Sequence, residues 1–228
     1  MGIAERRYRQ KEEIRGLILD TAWKQIQEDG VQALSIRKVA DAIEYSVPVI
    51  YTHFDSKDAL LAEFIQRGFR LLTAQVAEAR DRHTRPAAQL EAMALAYWDF
   101  AYRNVQYYKL MFGVGIPSCE VARESEEIGA FGKVIGSVVC EAIKQGKHPE
   151  ASVELKFQSY WSILHGIISI RMHDAPHVAA PAENIAAAGN GSSKNGAAAE
   201  KDALTGKCAL SLAILKDTVA GFIYALVG

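Results

Sequence analysis

Ser35 and Ser46 each stand directly before a short apolar-periodic segment. Ile36, Val39, Ala40 and Ile43 follow the first, and the stretch from Val47 to Phe54 follows the second. A hydroxyl in that place caps a helix, and the open backbone amides of the first turn, helped by the helix dipole, can face a phosphate. Pro48 lies in the first turn of the second segment, where its missing N–H costs little. No other group in the chain offers comparable chemistry. The 6 histidines are scattered without partners. His173 and His177 are spaced as metal ligands on one helix face, but Pro176 between them breaks that helix. Glu124, Glu126 and Glu127 read as a solvated helix face. Gly113-Val114-Gly115 lacks a third glycine and a preceding strand, and neither a P-loop nor a GxSxG elbow is present. Cys119, Cys140 and Cys208 lie far apart without CxxC spacing, which points to reduced thiols rather than a disulfide framework or a zinc site. The reading is therefore not an enzyme, with no metal and no cofactor expected.

The elements that must position Ser35 and Ser46 are helical throughout. Of 228 residues, 50% are apolar and 23% charged, enough for a packed core and too apolar for wholesale disorder. A net charge of −1 excludes a generally basic nucleic-acid coat but says nothing of local patches. Ile14, Leu17, Ile18, Ala22 and Ile26 recur at three- and four-residue steps up to Gly30, a helix end. Ser35 to Ile43 and Ser46 to Phe54 make two short helices around a turn at Glu44-Tyr45. Ser56 opens a longer helix that runs to about His83. Further helices are expected from Pro86 through Tyr102, around Tyr107 to Phe112, over Glu120 to Gln145, over Pro149 to His173 and over Thr205 to Leu226. Residues 175–206 draw 22 of 32 positions from Ala, Gly, Ser, Asn and Pro, too little apolar surface to offset ordering, and read as a flexible loop. The N-terminus is hydrophilic, with no secretory h-region. The longest uninterrupted apolar runs, Ile163 to Ile170 and Val219 to Val227, fall short of the ~20 residues of a membrane span. A soluble cytoplasmic protein with no membrane partner is expected.

The order Val39-Ala40 to Ser46, then Ile50-Tyr51-Thr52-His53-Phe54-Asp55-Ser56-Lys57, with Ile18-Leu19 and Ala22 before Gly30, resembles the DNA-binding domain of the TetR family of bacterial repressors. The resemblance covers roughly residues 8–65, and its Tyr-x-His-Phe-x-Ser-Lys string is the most specific part. It implies an all-α fold: an N-terminal three-helix helix-turn-helix domain over 1–57, with a basic N-terminal arm, and a helical ligand-binding and dimerisation domain over 58–228. One departure stands out. The family usually has Gly where this chain has Glu44, and a non-glycine residue in that turn strains the backbone by about 1 kcal/mol.

The same resemblance assigns phosphate contacts to Ser35, Tyr51, His53 and Lys57; the plainer role of Tyr51 and His53 is packing within the three-helix unit. Arg37 and Ser46 join the candidate DNA-facing set. In a helix-turn-helix the second helix enters the major groove, so Tyr45, Val47, Pro48, Val49 and Thr52 are the candidates to reach base edges. They include no Arg, Lys, Asn or Gln for bidentate readout, so thymine methyl contacts and DNA shape are expected to carry specificity. Residues 1–11 hold four basic side chains against one acidic, and a flexible arm could lay Arg6, Arg7 and Arg9 on phosphates or in the minor groove.

Farther along, Asn104-Val105-Gln106-Tyr107-Tyr108-Lys109-Leu110-Met111-Phe112 resembles an Asn-Pro-x-x-Tyr-x-Leu-Met-Phe segment of many members, with Val105 in place of Pro. Trp161-Ser162-Ile163-Leu164-His165-Gly166 resembles the Trp-x-x-x-His-Gly (WHG) signature of one C-terminal subgroup. Trp98, Tyr102, Tyr107, Met111, Phe112, Trp161 and His165 are candidate lining of an apolar inducer cavity; taken singly, each also reads as ordinary core. The two last long helices are apolar around much of their circumference, and the resemblance implies that they pair with their copies in a homodimer. The expected function is a repressor that binds a double-stranded DNA operator and is released by a small apolar or amphipathic inducer, activation being indistinguishable by sequence. The rival is a helical small-molecule-binding or partner-docking protein whose helix-turn-helix unit is only structural. Tyr51, His53 and Lys57 argue against it, since packing alone needs no polar rim.

Overall fold

In the computed structural model, which describes residues 2–113, 125–174 and 194–227, every regular element among the described residues is helical. In chain order they are α1 (Ile3–Asp29), a 3₁₀ turn (Val31–Ala33), α2 (Ile36–Ala42), α3 (Val47–Tyr51), α4 (Lys57–Asp81), α5 (Pro86–Arg103), α6 (Val105–Phe112), α7 (Glu126–Gln145), α8 (Val153–Asp174) and α9 (Lys194–Val227). They divide into two compact units, one from Met1–Thr73 with Asn104–Phe131, the other from Ala74–Arg103 with Gly132–Gly228. The division falls inside α4 and again inside α7, so both helices contribute to each unit.

In the first unit, Ile18, Leu19, Ala22 and Ile26 of α1 are buried, together with Val39, Ala40, Ile43, Ile50 and Phe54 of the helix-turn-helix. The inward faces expected from periodicity are those observed, except that Leu17 is exposed and Ile14 and Ile36 are only half-buried. Gly30 ends α1 at φ 84, and its amide donates to Ile26 O at 2.9 Å, a backbone setting that glycine adopts without a Cβ clash. From the far side, Phe64 and Phe69 of α4 and Met111 of α6 complete this core. Trp23 of α1 stacks on Tyr107 of α6 with centroids 3.9 Å apart. A Cβ on Gly68 would come within 2.5 Å of Met111 Sδ, so the absence of a side chain there leaves room for the Met111 side chain of α6 against α4.

The second unit is built on Tyr97 and Trp98 of α5, Ile135, Val139 and Ala142 of α7, Tyr160, Leu164 and Ile168 of α8, and Leu215 and Val219 of α9. The Tyr160 hydroxyl, fully buried, donates to the carbonyl oxygen of Leu90, and burial pushes its pKa well up, so it stays a donor. Gln75 ties the end of α4 to α5 through Ala96 O at 3.2 Å and Asp99 Oδ2 at 3.0 Å.

Several boundaries differ from the sequence reading. Residues 3–11 are the first turns of α1, not a flexible arm; their apolar periodicity is poor, but Glu, Arg, Gln and Lys are good helix formers and extend a nucleus supplied by the packed part of α1. The helix α9 begins at Lys194, so 194–206 are helical rather than loop, while 175–193 lie outside the described residues. The chain is continuous helix through Lys216-Asp217-Thr218, which the count of uninterrupted apolar runs treated as a stop. As a result Ala209–Val227 is long and apolar enough to cross a membrane by length and composition alone. Leu215, Val219 and Leu226 within it are buried in the protein, but only 22% of that window is.

Candidate nucleic-acid interface

The turn between α2 and α3 is closed by backbone geometry. Ile43 caps α2, Glu44 takes a left-handed conformation at φ 60, and the Tyr45 amide donates back to Ala40 O at 3.0 Å. Glu44 is the only non-glycine residue with positive φ among those described, which confirms the strain expected where a glycine is usual. The small Ala40, buried at this corner, lets α3 cross close to α2.

Ser35 caps α2 with its hydroxyl, which accepts from the Lys38 amide at 3.4 Å, a long contact. The Ser35 amide donates to Gln25 Oε1 of α1 at 3.1 Å. Gln25 was not singled out by sequence; its place beside the buried Ile26 on the inner side of α1 was the available sign. Ser46 precedes α3 but makes no capping bond with its side chain. Pro48 supplies no amide to that hydroxyl, and the Val49 amide donates to Ser46 O instead, at 2.9 Å. The expected cap is thus a backbone cap, and the Ser46 hydroxyl is exposed.

Ile50 pins α3 to the core, and the opposite side of the helix is open. Tyr45, Ser46, Pro48, Tyr51 and Thr52 are exposed, and Val47 and Val49 are half-buried. The Thr52 hydroxyl donates to Val49 O at 2.7 Å, which leaves its methyl group and a lone pair outward. Tyr51, 47% exposed, projects its ring from the last turn rather than into the core. Arg37 is exposed on α2. Lys57 sits at the start of α4, where its ammonium donates to Leu34 O at 2.7 Å. One of its three protons is therefore used inside the unit, beside Ser35.

His53 is half-buried, and its Nδ1 atom is buried without a hydrogen-bond partner. An unprotonated Nδ1 is the cheaper form there, which places the proton on Nε2. Burial lowers the His53 pKa below its ordinary value, and the nearby Lys11 and Arg15 charges lower it further against a smaller opposing effect of Glu12. Lys11 and Arg15 thus outweigh Glu12 in the charge felt by His53, although residues 1–57 carry nine basic and nine acidic side chains.

The seven candidate ligand residues are shared between the two units. In the first, Tyr107 stacks on Trp23, Met111 is buried and Phe112 packs on Phe69 and Tyr108 with centroids at 5.6 and 4.8 Å. In the second, Trp98 is buried 4.4 Å from Tyr102. There Trp161 and His165 neighbour each other on α8 at 6.2 Å, as their four-residue spacing predicts, and Phe157 extends the row. His165 Nε2 lies 3.1 Å from Ser169 Oγ, and burial lowers the ring's pKa. Phe157 and Ser169 were missed by sequence, although both follow from counting four residues outward along the same face. Among the described residues no group of three or more His, Cys, Asp or Glu could hold a metal, and Cys140 is a half-buried free thiol.

Two family models match this chain: bacterial regulatory proteins of the tetR family over residues 18–64, and the tetracyclin repressor-like C-terminal domain over 90–189. The HTH-type transcriptional activator FasR of Mycolicibacterium smegmatis is 32% identical over 102 residues, 45% of this chain and 47% of that protein. The chain spans about half the length of the curated relatives it matches. A Rhodococcus sp. RHA1 protein of unknown function has a similar structure, with TM-score 0.65 at 20% identity over 94% of this chain and 95% of that one. PfmR, a TetR family transcriptional regulator of Thermus thermophilus, gives TM-score 0.54 at 24% identity over 70% and 88% of the two chains. At these identities the structural likenesses establish the fold.

Proposed function

Because the chain belongs to the TetR family of bacterial regulatory proteins, we propose that it is a homodimeric, cytoplasmic transcriptional repressor that binds an operator through α3 and is released by a small apolar or amphipathic ligand. The observation that carries this reading is the outward row Tyr45, Ser46, Pro48, Tyr51 and Thr52, exposed on a helix whose inner side is fixed by Ile50. A helix pair kept only for packing has no use for that row, which disfavours the structural-unit alternative. Val47, Pro48, Val49 and the Thr52 methyl group offer apolar surface to thymine methyls, while Ser35, Arg37, Ser46, Tyr51, His53 and Lys57 surround it as phosphate contacts.

In α8 and α9, Leu155, Ile170, Leu210 and Tyr224 are between 57% and 76% exposed. So much apolar surface on adjacent helices supports their burial against a second copy. Dimeric helix-turn-helix proteins bind half-sites about one helical turn of DNA, roughly 34–36 Å, apart. Trp98, Tyr102, Trp161 and His165, all within the second unit, are the proposed ligand contacts, and Trp161 with His165 and Gly166 supports the WHG subgroup. Activation is the second reading, favoured by one observation: the FasR relative is named an activator.

The test is selection of bound duplexes from a random pool, followed by titration of wild type and Tyr51→Ala on the selected site. Specific binding by wild type, weakened by Tyr51→Ala, is expected. No binding to any duplex at low salt overturns the reading.

A further inference from the structure

Four charged side chains of the first unit form one connected chain. Arg15 Nη2 of α1 donates to Glu63 Oε2 of α4 at 2.6 Å, and the other oxygen of Glu63 faces Arg70 Nη2 at 3.7 Å. Arg70 Nη1 then donates to Glu127 Oε1 of α7 at 2.8 Å. The signs alternate, so Glu63 and Arg70 each sit between two opposite charges. Both carboxylates are only 20% exposed, which makes them less screened than carboxylates of a surface pair. Glu63 and Arg70 are two turns apart on one face of α4, so the helix itself holds their spacing.

The two ends of this chain lie in very different places. At one end the Arg15 guanidinium lies over the ring of Phe54, 5.0 Å from its centroid. Phe54 is buried, and its amide donates to Ile50 O at 3.1 Å, so it fixes the C-terminal end of α3. At the other end Glu127 belongs to the first turn of α7, 57 residues beyond Arg70.

We infer that Glu63, Arg70 and Glu127 are positioning residues for operator reading, which act through Arg15 on the seating of Phe54 and the end of α3. The inference rests on the DNA-binding reading of α3 and names how a distant segment enters it. Glu127 holds one side of the Arg70 guanidinium. When that carboxylate is lost or displaced, Arg70 turns fully to Glu63 and competes with Arg15 for its oxygens, and the guanidinium over Phe54 loses its anchor. By linkage, whatever moves the first turn of α7 changes operator affinity, and operator binding resists that movement by the same free energy.

A double-mutant cycle between Arg15 and Glu127, which do not touch, tests this. Operator affinity is titrated for wild type, Glu127→Gln, Arg15→Met and the double variant, with hydrogen exchange of amides 47–54 followed in the free proteins. Glu127→Gln is expected to weaken the operator complex about fivefold in the wild-type background and to have no effect with Met at 15. It is also expected to speed exchange at 47–54 without lowering Tm by more than the Arg70–Glu127 pair itself accounts for. Additive effects, or an unchanged affinity and exchange rate in Glu127→Gln, overturn the inference. If wild type binds no duplex at all, the DNA-binding reading fails, and the exchange cycle alone decides whether the chain positions α3.

Discussion

Lys57 Nζ lies 2.7 Å from the carbonyl oxygen of Leu34, so the cation at the start of α4 holds the approach to α2 in place. Leu34 is itself buried, and its carbonyl falls between the 3₁₀ turn and the N-terminal residue of α2. The ammonium thus has an internal partner on one side and two remaining protons for an outside anion.

Replacing Lys57 by Met keeps the aliphatic stem and removes the donor. The unpaired Leu34 carbonyl should cost about 1 kcal/mol of stability. The slope of log affinity against log salt on the selected operator should become shallower by about 1, the mark of one lost phosphate contact. Denaturant unfolding and a salt series measure the two effects separately. A stability loss with an unchanged slope would show that Lys57 serves only Leu34.

Glu44 makes an opposite prediction. At φ 60 its Cβ crowds the backbone, and its exposed side chain has no packing to lose. Glu44→Gly should therefore stabilise the protein by roughly 0.5–1 kcal/mol, with α3 and operator preference unchanged. Glu44→Val should destabilise it, since a β-branched residue tolerates that conformation poorly. Thermal unfolding of the pair of variants gives the sign directly.

How much was legible in the sequence follows from the range of the forces involved. The helix-turn-helix was readable because caps, turn and inward apolar positions are set by neighbours a few residues away; even the strain at Glu44 was visible from its identity. Serine's capping propensity suggests a side-chain cap at Ser46, but Pro48 two residues on has no amide to offer its hydroxyl, so the Ser46 carbonyl makes the cap instead. Arg15, Glu63, Arg70 and Glu127 gave no signal, since ion pairs between helices far apart in sequence have no periodicity. The division of Trp98, Tyr102, Trp161 and His165 from Tyr107, Met111 and Phe112 was invisible for the same reason: aromatic residues mark burial but not which unit buries them. Residues 3–11, expected as part of a flexible arm, and 194–206, expected as part of a loop, are helical although they lack apolar periodicity, because residues adjoining a nucleated helix continue it.

His53 sets a pH dependence whose sign follows from its lowered pKa. In the unfolded chain the ring takes up a proton as pH falls through about 6.5, while the folded ring resists until lower pH. Between those two values the unfolded state binds more protons, so stability falls with acidification and is fully present above the unfolded value. In His53→Gln this contribution should vanish, and the difference in Tm between variant and wild type should change between pH 7.5 and 5. On the operator the direction reverses. A phosphate beside His53 favours the protonated ring, so binding by wild type should strengthen over the same acidification more than binding by the variant. Parallel pH profiles for the two proteins would show that His53 does not meet a phosphate.

The exposed apolar side chains of α8 and α9 make the assembly testable without DNA. Ile170 and Leu210 are 65% and 57% exposed, a setting that costs free energy in water and is relieved when two copies bury it. Replacing either by Asp should leave the helices intact, because neither side chain contributes to the protein's own core. Placed inside a self-complementary interface, however, each Asp appears twice about the two-fold axis, and both copies must lose water. Sedimentation of wild type should give a dimer at micromolar concentration, and Leu210→Asp a monomer with unchanged helical content. Loss of operator affinity should accompany the monomer, since the two half-sites are then bound separately rather than together. A wild-type monomer, or a Leu210→Asp protein that stays dimeric, would place the contact between copies elsewhere on the surface.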